Sequence, residues 1–203
     1  MTTYTRHSGE NGNPGNKVEA IFLDRDGTIN EEVGYLSSLA QLMLYPQAAR
    51  AIKMINVSGM KSIVVTNQSG VARGYFTAAL VADVHMKIQS LLASHQAHLD
   101  AFYYCPHHPE GQGIYRQECN CRKPEPGMLL TAAQDMGIDL GRSYLIGDTR
   151  KDMQAGLKAG AKAVLVRTGY GREAEAECSD IGLNYVADDI LAAVIWIMQD
   201  RQK

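Results

Sequence analysis

Short apolar runs alternate with stretches of helical periodicity along most of the chain. Residues 18–23, 62–65, 101–104, 144–146 and 163–166 are compact runs of the kind that predicts buried strands, and 184–186 adds a sixth. Between them, apolar residues recur three or four positions apart. Ala48, Ile52 and Ile55 mark one helix, with Gly59 as its stop. Thr77 is placed to cap a second, whose apolar face is Leu80, Val84, Ile88 and Leu91. A third occupies 128–136 between Pro126 and Gly137, another ends near Gly160, and Ile190, Val194 and Ile197 mark the last. Strands alternating with helices predict an α/β fold, a Rossmann-like three-layer sandwich around a mainly parallel sheet.

In such sheets ligands bind beyond the carboxyl ends of the strands. Asp24, Thr66, Cys105 and Asp148 each follow one of the first four predicted strands. Asp24 and Asp26 lie one residue apart, and extended backbone would point them the same way. Like charges that close need a partner, and Mg²⁺ suits paired carboxylates that also face a phosphate. Asp148 and Asp152 lie four apart, on one face at a helix start. The bland alternatives are a solvated turn for Asp24 and Asp26, helix-capping acids for Asp148 and Asp152, an ordinary strand end for Thr66 and a surface lysine for Lys123. Their joint placement is what points to chemistry.

Composition narrows the class. The 203 residues carry a net charge of −2, with 45% hydrophobic and 21% charged residues, values that fit one globular domain with a sizeable core. This balance excludes nucleic acid or membrane held by bulk charge, so an anionic substrate needs a local positive site. Residues 1–17 are polar and are expected to form a flexible tail ahead of a single domain at 18–203. They lack the apolar middle of a signal peptide, and no run is long enough to span a membrane, so a cytoplasmic protein with reduced thiols is expected. In that setting Cys105, Cys119 and Cys121 with His107 form a four-donor set suited to structural Zn²⁺. His108 competes for the imidazole position. Cys178 stands alone without an evident role, His85, His95 and His98 are expected at the surface, and Trp196 in the core.

The segments D-R-D-G-T (24–28), V-V-T-N-Q-S-G (64–70), R-K-P (122–124) and G-D-T-R-K-D (147–152) resemble, in order, the four motifs of the haloacid dehalogenase superfamily. The resemblance implies an aspartyl nucleophile at Asp24 and a general acid and base at Asp26. It implies Mg²⁺ held by Asp24, Asp148 and the backbone carbonyl of Asp26, with Asp152 behind them orienting Lys123 or a metal-bound water. Thr66, the Asn67 amide and Lys123 would meet the phosphoryl group.

The C-x-H…C-x-C loop ahead of R-K-P is similar to that of D-glycero-D-manno-heptose 1,7-bisphosphate phosphatases, which share it with histidinol-phosphate phosphatases. These enzymes lack a large cap domain, and the zinc loop shapes their substrate entrance. By the same resemblance, substrate contacts fall to Glu32, Val33, Gly34 and Tyr35, to Asn67, Gln68 and Ser69, and to Arg122 at a distal phosphate. The implied partner is a small phosphorylated sugar, the implied reaction removal of its C7 phosphate, and the implied state a monomer. Thr149 stands where the family often carries Lys, which removes an expected charge near the phosphate. A histidinol-phosphate or other monoester phosphatase is the alternative substrate reading. A zinc-stapled binding module without catalysis is the alternative from another class.

Overall fold

The computed structural model describes residues 18–203 together with the backbone of Thr2–Thr5. Among the described residues seven strands form one sheet: β1 (Thr2–Thr5), β2 (Ala20–Leu23), β3 (Lys61–Asn67), β4 (Ala101–Cys105), β5 (Tyr144–Gly147), β6 (Lys162–Val166) and β7 (Tyr185–Ala187). Their order is β1-β4-β3-β2-β5-β6-β7. All neighbours run parallel except β1, which pairs antiparallel with the β4 edge. Thr2–Thr5 therefore lie in an edge strand where the sequence suggested a tail; the other residues of that expected tail, 1 and 6–17, lie outside the described residues.

Among the described residues seven α-helices flank the sheet: α1 (Ala48–Val57), α2 (Gly70–Arg73), α3 (Ala78–Ala93), α4 (Gly127–Met136), α5 (Arg150–Ala159), α6 (Gly171–Glu177) and α7 (Ile190–Asp200). Side chains alternate between the two faces of each strand. Ile21 and Leu23 of β2, with Val64, Ile146 and Val164, pack against Ile52 and Ile55 of α1, Val84 and Ile88 of α3, and Val194 and Ile197 of α7. Ala20 and Phe22, with Ile63, Val65 and Leu145, pack against Met128, Leu129 and Ala132 of α4 and Ala155 of α5. Each such aliphatic side chain taken from water contributes about 1.5–3 kcal/mol, more than helix propensity supplies, so burial on both faces holds the helices in place.

The predicted signals do their expected work locally. Thr77 accepts from the Leu80 amide at 3.2 Å, and Gly137 and Gly160 close α4 and α5 in left-handed conformation. Two faces differ. On α3 the buried stripe is Val81, Val84, His85, Ile88 and Leu92, with Leu80 and Leu91 only half-buried. His85 is 3% exposed and stacks on Phe102, with ring centroids 4.4 Å apart, so it is a core residue and not a surface histidine. Its burial lowers the imidazole pKa to about 3, which makes it neutral. Cys178 is buried with Met153, Ala163, Leu165 and Ala174, as a small packing residue under α6.

No helix among the described residues is long and apolar enough to cross a membrane. Strands β2, β3 and β4 run to one side of the sheet and β5, β6 and β7 to the other, so the order reverses between β2 and β5. That reversal opens a crevice beyond the strand ends, where the loops after β2 and β5 part.

Candidate active site and the cysteine–histidine loop

Asp24 leaves β2 and Asp148 leaves β5, the two strands that flank this crevice. Asp152 joins them from the first turn of α5. One carboxylate oxygen from each of the three lies within 4.8 Å of the others. Asp152 is held there by a reciprocal cap: Thr149 Oγ1 and the Thr149 amide both donate to Asp152 Oδ2, at 2.5 and 3.0 Å. Lys123 enters beneath the group. Its ammonium is 2.8 Å from Asp24 Oδ1, 2.5 Å from Asp152 Oδ1, and donates to the Val65 carbonyl at 2.8 Å. The lysine is 2% exposed and no surface residue.

Three buried carboxylates against one ammonium leave negative charge in excess. Burial first, then Asp152 and Asp26, push the Asp24 carboxyl up to about 7 against the pull of Lys123. Burial, with Asp24 and Asp152 adding to it, pushes Asp148 up to about 9. For Lys123, burial works downward, but Asp152 and Asp24 outweigh it and raise its pKa. Asp148 Oδ2 accepts from the Tyr170 amide at 2.9 Å, while its buried Oδ1 has no partner among the described residues. An orphaned oxygen facing other carboxylates at this spacing fits a hard divalent cation such as Mg²⁺. Gly27 packs directly against this carboxylate: its φ is +79°, and a Cβ there would collide with Asp148 Oδ2.

Asp26 is arranged differently from the sequence picture of two acids sharing one cation. β2 ends at Leu23, and the Asp26 carboxylate turns to Arg25. Arg25 Nη2 donates to both of its oxygens, at 2.8 and 2.7 Å, and Nε to Oδ1 at 3.1 Å. Asn30 and Gln68 side-chain amides each add a hydrogen bond at 2.9 Å. Burial alone would raise the Asp26 pKa, but Arg25 and these donors outweigh it and hold the carboxyl below its ordinary value. Sequence reasoning missed Arg25, although a cation set between two acids was the available signal.

Gln68 also donates to Thr66 Oγ1 at 2.9 Å, tying the end of β3 to Asp26. The Asn67 side chain clasps the Lys123 backbone twice, with Oδ1 accepting from its amide and Nδ2 donating to its carbonyl, both at 3.0 Å. Nothing local in the sequence announces that pair, which spans 56 positions. A cavity of about 220 Å³ opens over the group. Asp24, Asp26, Thr66, Asn67, Gln68, Ser69, Arg122 and Lys123 line it, as do Glu32, Gly34 and Tyr35. Val33 is exposed and not part of the lining.

Beside this cavity Cys105, at the end of β4, meets His107, Cys119 and Cys121. The thiols are unpaired. Their sulfurs lie 3.2, 3.3 and 3.5 Å apart, and His107 Nδ1 is 3.4 Å from Cys121 Sγ and 3.8 Å from Cys105 Sγ. A tetrahedron with metal–sulfur bonds of about 2.3 Å has edges of about 3.8 Å, so the four donors are slightly tighter than a filled zinc site and of the right shape. His108 points elsewhere, toward Arg73 at 3.1 Å. The loop is seated on α2 through the Gln112 amide, which donates to the Ala72 carbonyl at 2.7 Å.

Known proteins share this architecture. Residues 120–193 match the family model described as HAD-hydrolase-like. The chain is 46% identical over 175 residues to D-glycero-beta-D-manno-heptose-1,7-bisphosphate 7-phosphatase of Escherichia coli K12, covering 84% of this chain and 91% of that protein. The protein of the same name from Haemophilus ducreyi is 43% identical, over 84% of this chain and 95% of the relative. Among solved structures, a D,D-heptose 1,7-bisphosphate phosphatase from B. bronchiseptica, complexed with magnesium and phosphate, superposes with a TM-score of 0.83. It is 33% identical, over 90% of this chain and 99% of the other. With the four motifs gathered at one crevice and these likenesses running nearly end to end, the chain belongs to the heptose bisphosphate phosphatase family of haloacid-dehalogenase-like hydrolases.

Proposed function

We propose that the chain is a Mg²⁺-dependent phosphatase that removes the C7 phosphate of D-glycero-D-manno-heptose 1,7-bisphosphate through an aspartyl-phosphate on Asp24. The observation that carries this reading is the convergence of Asp24, Asp148 and Asp152 around buried Lys123 at the sheet's reversal point. Asp24, Asp148 and the Asp26 carbonyl would hold Mg²⁺, which when bound supplies positive charge to the transferring phosphoryl group.

In the first half-reaction an Asp24 carboxylate oxygen attacks phosphorus, and the bond from phosphorus to the sugar oxygen breaks. Asp26, which must first take up a proton against the pull of Arg25, gives it to the departing oxygen. In the second half, ionised Asp26 takes a proton from water as the water oxygen attacks the aspartyl-phosphate, and inorganic phosphate leaves. The Arg25 contact favours the ionised form, the one that second half needs. Thr66, the Asn67 amide and Lys123 face the phosphoryl oxygens. Glu32, Gly34, Tyr35 and Ser69 line the space left for the sugar, and Arg122 meets the second phosphate, where its planar fork suits an anion.

Purified enzyme is expected to prefer heptose 1,7-bisphosphate over histidinol phosphate by a large factor in kcat/KM. A preference the other way in the same phosphate-release assay overturns the substrate assignment. The unpaired cysteines accord with a reducing cytoplasm, and we assign a monomer.

We assign the cysteine–histidine set to structural Zn²⁺. Chelation should release residues 105–121 and lower the melting temperature by at least about 6 °C, which corresponds to about 3 kcal/mol for a chain of this size. Unchanged melting after verified zinc loss removes the structural role.

A further inference from the structure

Thr149, where a cation was expected, is committed to the start of α5 by its cap on Asp152. A positive charge returns two residues later. Lys151 is exposed in the first turn of α5 and lines the active-site cavity. It also lines an adjoining open cavity of about 610 Å³, together with Arg73, His108 and Arg122. Arg122 and Lys123 are the other residues common to both.

The acids nearby are mostly spoken for. Glu110 pairs with Arg73 at 3.1 Å and Glu125 with Lys158 at 2.7 Å, leaving Glu118 on the rim. Neither Arg122 nor Lys151 has a carboxylate partner among the described residues. Two unpaired cations thus line both the cavity that holds Asp24 and Asp26 and the open cavity beside it, which neither acid lines.

We propose that Lys151, acting with Arg122, binds the second phosphate of the substrate and is the residue that separates sugar bisphosphates from monophosphates in this chain. The proposal rests on the function proposed above, because one phosphate must occupy the Asp24–Lys123 end while the other reaches this one. Lys151 is an exposed point charge on a flexible stem, so its contribution should lie in binding and be screened by salt.

The test is the ratio of kcat/KM for heptose 1,7-bisphosphate to that for heptose 7-phosphate. Lys151→Ala is expected to lower this ratio about tenfold, the change lying in KM, and Lys151→Arg to restore most of it. The difference between wild type and Lys151→Ala should shrink at high ionic strength, which a purely structural effect would not do. An unchanged ratio, or equal losses on both substrates, overturns the proposal. Fructose 1,6-bisphosphate and fructose 6-phosphate provide a second pair. A wild type that turned over no heptose bisphosphate would sink the substrate assignment, while the hexose ratio would still decide the role of Lys151.

Discussion

Asp24→Asn is expected to lower kcat by at least about four orders of magnitude while leaving substrate affinity within a few-fold, because an amide cannot form the phosphoenzyme. The replacement is nearly isosteric and keeps an oxygen for the Lys123 ammonium, now 2.8 Å from Asp24 Oδ1. Thr66, Asn67, Arg122 and Lys123 remain in the cavity to hold the phosphates. Removing one of three crowded carboxylates relieves repulsion, so the metal-free variant should melt no lower than wild type. That separates lost chemistry from lost folding. Acid-quenched wild-type enzyme mixed with labelled substrate should retain label on protein, and Asp24→Asn should retain none. Appreciable turnover or labelling by Asp24→Asn removes Asp24 from the nucleophile's role.

The parts of this site that could be read in advance are those set by chain-local geometry. Strand runs end at Leu23 and Gly147, and a parallel sheet carries the next residue of each to the same edge, so Asp24 and Asp148 were predictable neighbours. The spacing of Cys105, His107, Cys119 and Cys121 likewise announced a four-donor group. What escaped notice depends on partners distant in sequence or on competition between local partners. Asn67 and Lys123 meet only once β3 and the R-K-P turn are folded together. The Asp26 carboxylate engages Arg25 because a bidentate guanidinium one residue away costs little chain entropy to engage. His85 sits at a position where α3 periodicity wavers between two stripes, and Phe102, which covers it, comes from another element. Residues 171–177 lack the apolar periodicity that would reveal α6; only Ala174 and the neighbouring Cys178 anchor it.

Lys123→Met should damage both activity and stability, and the two losses should respond differently to magnesium. The ammonium is the sole cation within ion-pair distance of Asp24 and Asp152 among the described residues, and it also satisfies the Val65 carbonyl. Methionine fills much of the same volume but leaves buried carboxylates without compensation and Val65 without its donor. Breaking a buried ion pair from one side costs about 3–5 kcal/mol, or about 6–20 °C in melting temperature for a chain of this size. Loss of one preorganised charge at the phosphoryl group lowers kcat by about two to three orders of magnitude. Added Mg²⁺ offsets the repulsion among Asp24, Asp148 and Asp152, so it should recover part of the melting temperature. The ion would be held by the carboxylates and would not replace the ammonium, so kcat should stay low. Differential scanning fluorimetry and steady-state kinetics, each with and without Mg²⁺, read the two effects separately. A Lys123→Met protein with wild-type melting and kcat within tenfold of wild type would mean that the lysine neither balances the carboxylates nor touches the reaction.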